Sequence, residues 1–79
     1  MVEKARRLSY REQQEWERME AHILDAEAHL ETCQRAAADP GVASDHRVLS
    51  ERVAALAAAQ AAVEQLYARW AELEAKVKA

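Results

Sequence analysis

At 79 residues the chain amounts to one small domain, near the size where a single core is only marginally stabilising, so self-association or attachment to a larger protein is expected. Apolar residues make up 51%, many of them Ala, but no run approaches the roughly 18 needed to span a membrane, and the charged N-terminus lacks the apolar core of a secretory signal. These features exclude a membrane partner and make the cytoplasm the expected compartment, while a net charge of −3 argues against a uniformly basic nucleic-acid binder.

Residues 1–8 form a leader in which Lys4, Arg6 and Arg7 outnumber Glu3. Ser9 followed by Glu12 is a capping-box pair: the hydroxyl and the carboxylate each satisfy a free backbone amide of the other residue. A helix is therefore predicted over 9–38. Along it Trp16, Met19, Ile23, Ala26, Leu30, Cys33 and Ala37 recur at alternating spacings of three and four, the seam of a coiled coil. Asp39-Pro40-Gly41 then breaks it, because proline disfavours helical geometry in the residue before it and Gly41 permits a reversal.

The turn occupies 39–44, Ser44 or Asp45 caps the next helix, and that helix runs over 45–77 with no internal breaker. Its seam reads Leu49, Val53, Leu56, Gln60, Val63, Tyr67 and Trp70. Folded back at the turn, the two seams meet layer by layer, with Trp16 opposite Trp70, Met19 opposite Tyr67, Ala26 opposite Gln60 and Cys33 opposite Val53. The predicted fold is all-α, a two-helix antiparallel coiled-coil hairpin with helices about 45 Å long. The end with both tryptophans should pack best, with Leu8, Tyr10, Leu73 and Val77 as a looser cap. The Ala26 and Gln60 layer should be the weakest.

Catalytic signatures are absent: there is no phosphate-cradling glycine loop, nucleophile elbow or pair of metal-ligand cysteines. A solvated two-helix rod offers its carboxylates no water-excluding cleft, so an enzyme is not expected. Cys33 reads as a small seam hydrophobe. His22 and His29, seven residues apart with Asp25 between them, lie about 10 Å from one another, too far to share one tetrahedral ion, and read as surface residues.

Charge is segregated. Residues 1–11 carry a local +3, residues 12–39 a local −6, and residues 40–79 balance. Lys4, Arg6, Arg7 and Arg11 therefore mark the open end of the hairpin, to which Arg69, Lys76 and Lys78 return from the second helix. This cluster is the candidate contact for nucleic-acid phosphates.

The string LSYREQQE at 8–15 resembles the opening of the C-terminal coiled-coil domain of ABC-F family ATPases of the Uup type. Ala38-Asp39-Pro40 resembles that family's hairpin turn, and YARWAELE at 67–74 resembles its closing segment. Met19-Glu20 stands where relatives often have Leu-Pro. The resemblance implies a tail of a cytoplasmic protein with two ATP-binding cassettes, ATP being a cofactor of the parent and not of this domain. It also implies a nucleic-acid-binding module acting on DNA or on ribosomal RNA. Of the matching positions Leu8, Ser9, Tyr10, Arg11, Glu12, Gln13, Asp39, Pro40, Tyr67, Arg69, Trp70 and Leu73, most look like caps, turn and packing, which leaves Arg11 and Arg69 to bind. The alternative is a structural strut that positions the ATPase cassettes or pairs with itself as a homodimer, motivated by exposed Leu24 and by the Leu66 and Leu73 flank.

Overall fold

The computed structural model describes residues 8–78. Helix α1 spans Tyr10–Ala37, a short 3-10 turn spans Pro40–Val42, and helix α2 spans His46–Lys78. The two helices run antiparallel as a rod with extents of 63 × 16 × 16 Å. Its radius of gyration, 17.7 Å, compares with about 12 Å for a compact chain of this length.

Each end of each helix has a local cause. Ser9 lies in extended geometry and its hydroxyl accepts from the Glu12 amide at 3.1 Å, while Glu12 accepts from the Ser9 amide at 3.0 Å, completing the capping box. Asp39, held extended before Pro40, accepts from the Gly41 amide at 2.9 Å and caps the 3-10 turn. Asp45 starts α2 by accepting from the Val48 amide at 3.1 Å, so the cap is Asp45 and not Ser44.

The reversal does not use Gly41 as expected, since no described residue has a positive φ. Asp39, Pro40 and the 3-10 turn make the bend. Gly41 serves close approach instead: a Cβ there would come within 3.3 Å of the Asp39 carboxylate. Val42, buried, plugs the closed end.

On α1 the seam is as read, with Met19, Ile23 and Cys33 buried and Trp16, Ala26, Leu30 and Ala37 half-buried. On α2 it is displaced at alternate positions. Leu49, Leu56 and Val63 turn inward, but the residues that alternate with them are Arg52, Ala59 and Leu66 rather than Val53, Gln60 and Tyr67, and the stripe ends on Leu73. Ala59 is 3% exposed and its neighbour Gln60 lies outside, while Val53 is 51% exposed. Two physical reasons favour this register. It half-buries Leu66 and fully encloses Leu73, and it spares the Gln60 amide an unpaired burial.

The cost of placing Arg52 inward is met at the helix end. Its guanidinium donates to the Ala36 carbonyl at 2.9 Å and to Asp39 at 3.4 Å, placing a cation at the α1 C-terminus. With the Gly41 amide as the larger cause and Arg52 as the second, the Asp39 carboxyl is held below its ordinary range.

The principal core lies towards the open end, where Met19, Ile23 and Leu73 pack together under Leu8, Trp16 and Leu66. Leu8 thus belongs to the core rather than to a loose cap, and Leu66 and Leu73 are no exposed flank. Tyr10, expected in the cap, is exposed, its hydroxyl accepting from the Gln14 amide at 2.8 Å. Cys33 is a buried free thiol, 3.6 Å from His29 Nε2.

Candidate nucleic-acid interface

The open end is built by the first two turns of α1 facing the last three of α2. Residues flanking a coiled-coil seam point across at the partner helix, and here those positions are acidic on α1 and basic on α2. Arg69 is the hub. Its Nε and Nη2 form a bidentate pair with Glu15 at 2.9 and 3.0 Å, its Nη1 donates to Glu72 at 2.8 Å, and Glu12 lies 3.8 Å away. Lys76 donates to Glu12, and Lys78 pairs with Glu74 at 3.4 Å.

The electrostatics follow from these contacts. Glu12 is held below its ordinary value chiefly by the bond from Lys76, then by the Ser9 amide. Glu15 is lowered by Arg69, whose own pKa is raised by Glu15 and Glu72. The Lys78–Glu74 pair is well exposed and contributes little. The bidentate Arg69–Glu15 pair has the fixed fork geometry that makes such contacts directional.

Of the sequence-predicted phosphate contacts, Arg69 and Lys76 are therefore engaged across the hairpin and Lys78 along its own helix. Arg11 is exposed and makes no ion pair among the described residues. Lys4, Arg6 and Arg7 lie outside the described residues. Glu12 and Glu15, which sequence reasoning treated as an end cap and as background acidity, are the cross-helix partners. Their flanking positions beside the Trp16 layer were the available signal.

Elsewhere the candidate chemistry does not converge. His22 and His29 are exposed, and no group of three His, Cys, Asp or Glu is arranged to hold a metal ion among the described residues. No described helix is long and apolar enough to cross a membrane.

Comparison with known proteins agrees with the layout. The family described as ABC transporter C-terminal domain matches residues 7–75. An ATP-binding protein Uup-like from Haemophilus influenzae (strain ATCC 51907 / DSM 11121 / KW20 / Rd) is 35% identical over 74 residues, 92% of this chain. The chain spans only 16% of that relative's length. No solved structure matches it significantly. With the capping box, the Asp-Pro turn and the closing aromatic segment all inside the matched span, the chain belongs to the ABC transporter C-terminal domain family, as a C-terminal domain of the Uup type.

Proposed function

We propose that this domain is a non-catalytic arm of a cytoplasmic ATP-binding-cassette protein, and that its basic open end binds the phosphates of nucleic acid, DNA or ribosomal RNA. Lys4, Arg6, Arg7 and Arg11 make the contacts, with Lys78 at the edge. The supporting observation is how charge is allocated there. Glu12 and Glu15, the first acids after the basic leader, already hold Lys76 and Arg69. Arg69 and Lys76 thus serve to organise the end rather than to bind. The relative's description as an ATP-binding protein supports the cassette context.

Binding of this kind reads the backbone and not the bases, so it weakens steeply with salt. Four neutralised phosphates imply a loss of about 100-fold on duplex DNA between about 50 and about 200 mM salt. Fluorescence anisotropy of labelled single-stranded, duplex and branched DNA and of structured RNA measures it, and the ranking names the target. Reversing Arg6 and Arg7 to Glu should abolish the signal, whereas Lys76→Ala should leave the salt slope unchanged. Affinity that survives the reversal refutes the assignment.

The rod shape supports a second reading, a strut that sets the position of the ATPase cassettes. Full burial of Leu73 and partial burial of Leu66 remove much of the motive for self-pairing along that flank. A strict monomer in sedimentation with no nucleic-acid binding favours the strut.

A further inference from the structure

Beside the core, the α1 and α2 surfaces leave a groove of about 580 Å³ along one flank of the rod. Its floor and walls are apolar and aromatic: Trp16, Met19, Ile23 and Leu24 from α1, with Tyr67 and Trp70 from α2. Trp70 contacts both other aromatics, its ring centroid 6.5 Å from Trp16 and 6.1 Å from Tyr67. Leu24, Tyr67 and Trp70 remain 61%, 42% and 39% exposed, more apolar surface than a scatter of single side chains accounts for.

The rim is of one sign. Glu17, Glu20 and Glu27 line the groove, and no Lys, Arg or His does. None of the three carboxylates forms an ion pair among the described residues. Glu17 accepts from the Gln13 side chain at 3.0 Å and Glu27 from the Tyr67 hydroxyl at 2.6 Å, neither of which neutralises it.

We propose that this groove docks a cationic amphipathic segment of a partner protein. Apolar side chains of that segment settle against Trp16, Ile23 and Leu24. Its Lys or Arg side chains lie over the exposed faces of Trp70 and Tyr67 and reach the three carboxylates. From Trp16 to Glu27 the α1 wall is about 17 Å long, which matches roughly three helical turns of a ligand. Charge complementarity selects this occupant over two others. Phosphates are repelled by the rim, and a second copy related by two-fold symmetry would bring the same carboxylates face to face.

Trp16 and Trp70 are the chain's two tryptophans, so intrinsic fluorescence and the two indole N–H resonances report on the groove directly. The probe is an 18-residue helical peptide with Leu at i, i+3, i+4 and i+7 spacing and Lys elsewhere, titrated into the 79-residue chain. Saturable movement of both indole resonances is expected. Glu17→Lys with Glu20→Lys, both on the exposed face, should weaken binding more than about 10-fold at low salt and less at high salt, where charges are screened within a few ångströms. Leu24→Ala should weaken it at both.

A same-composition scrambled peptide and a Leu/Glu counterpart should not compete. Binding unaffected by the Glu17 and Glu20 reversals overturns the proposal, as does equal binding of the scrambled peptide. Tryptophan emission that shifts with the chain's own concentration, without peptide, overturns it in favour of a second copy. Because Leu24, Glu17 and Glu20 are exposed, unchanged helical circular dichroism keeps these variants interpretable.

Discussion

Ala59 and Gln60 are neighbours that the register of α2 sends to opposite fates, and exchanging their chemistry tests the fold. Ala59 is 3% exposed against α1, so Ala59→Gln forces extra side-chain volume and an amide into the seam. Overpacking of this kind costs about 1–3 kcal/mol, and an amide buried without a partner costs about 1–3 kcal/mol more. The long, thin rod allows some relief, because glutamine can bend towards solvent, which places the expected cost at about 2–4 kcal/mol. Against a total stability on the order of 4–12 kcal/mol for a chain of this length, that is a large fraction. It lowers Tm by about 10–25 °C for a domain of this size.

Gln60→Ala, by contrast, removes an exposed side chain and gains a few tenths of a kcal/mol of helix propensity, about 1–3 °C upward. Thermal melts followed by circular dichroism at the helical band measure both. In the register that puts Gln60 in the seam, Ala59→Gln is a surface change that leaves Tm nearly still. A shift of less than about 2 °C for Ala59→Gln would refute the observed packing of α2.

Three further outcomes follow from single contacts. Leu73→Ala removes a fully enclosed side chain beside Met19 and Ile23 and should cost about 3–4 kcal/mol in urea unfolding; a cost under about 1 kcal/mol would mean that the open-end core is not the principal one. Ser9→Ala deletes one half of the capping box and should cost about 1 kcal/mol, with faster amide exchange confined to the first turn of α1. Glu12, Glu15 and Asp39 all have folded-state pKa values below their unfolded ones, so their contribution is present above the ordinary carboxylate range and is lost as pH falls through the lowered values. Tm should therefore be flat down to about pH 5 and fall below it, with a smaller fall in Glu15→Gln; equal falls would remove the Arg69–Glu15 pair from the account.

The elements and their ends were largely legible because their causes are local. The Ser9–Glu12 box, the extended residue before Pro40 and the alternating spacing on α1 all act within a few residues. The α2 seam was half legible, since two stripes one residue apart compete there. Val53 is more apolar than Arg52, so that layer favours the stripe that the structure turns outward, while Leu66 and Leu73 favour the other. What decides the matter is long-range: Leu73 reaches the Met19 core, while Arg52 and Arg69 find the Ala36 carbonyl and Glu15 only once α1 lies alongside. The basic cluster was legible as charge for the same reason that its pairing was not. Net charge is counted along the chain, but an ion pair depends on which faces meet.

The acidic face of α1 has two separate consequences. At the seam edge, Glu12 and Glu15 pair with Lys76 and Arg69 of α2 and tie the open end across the hairpin. Further along α1, Glu17, Glu20 and Glu27 meet no cation among the described residues and border exposed aromatic surface instead. A polyanion approaching the groove is therefore disfavoured along this flank, over a range of about 8 Å at physiological salt. A cationic peptide meets the reverse pattern. The proposed nucleic-acid tip and the proposed peptide groove thus exclude each other's ligands by sign, so reversal of Arg6 and Arg7 acts on the first alone and reversal of Glu17 and Glu20 on the second.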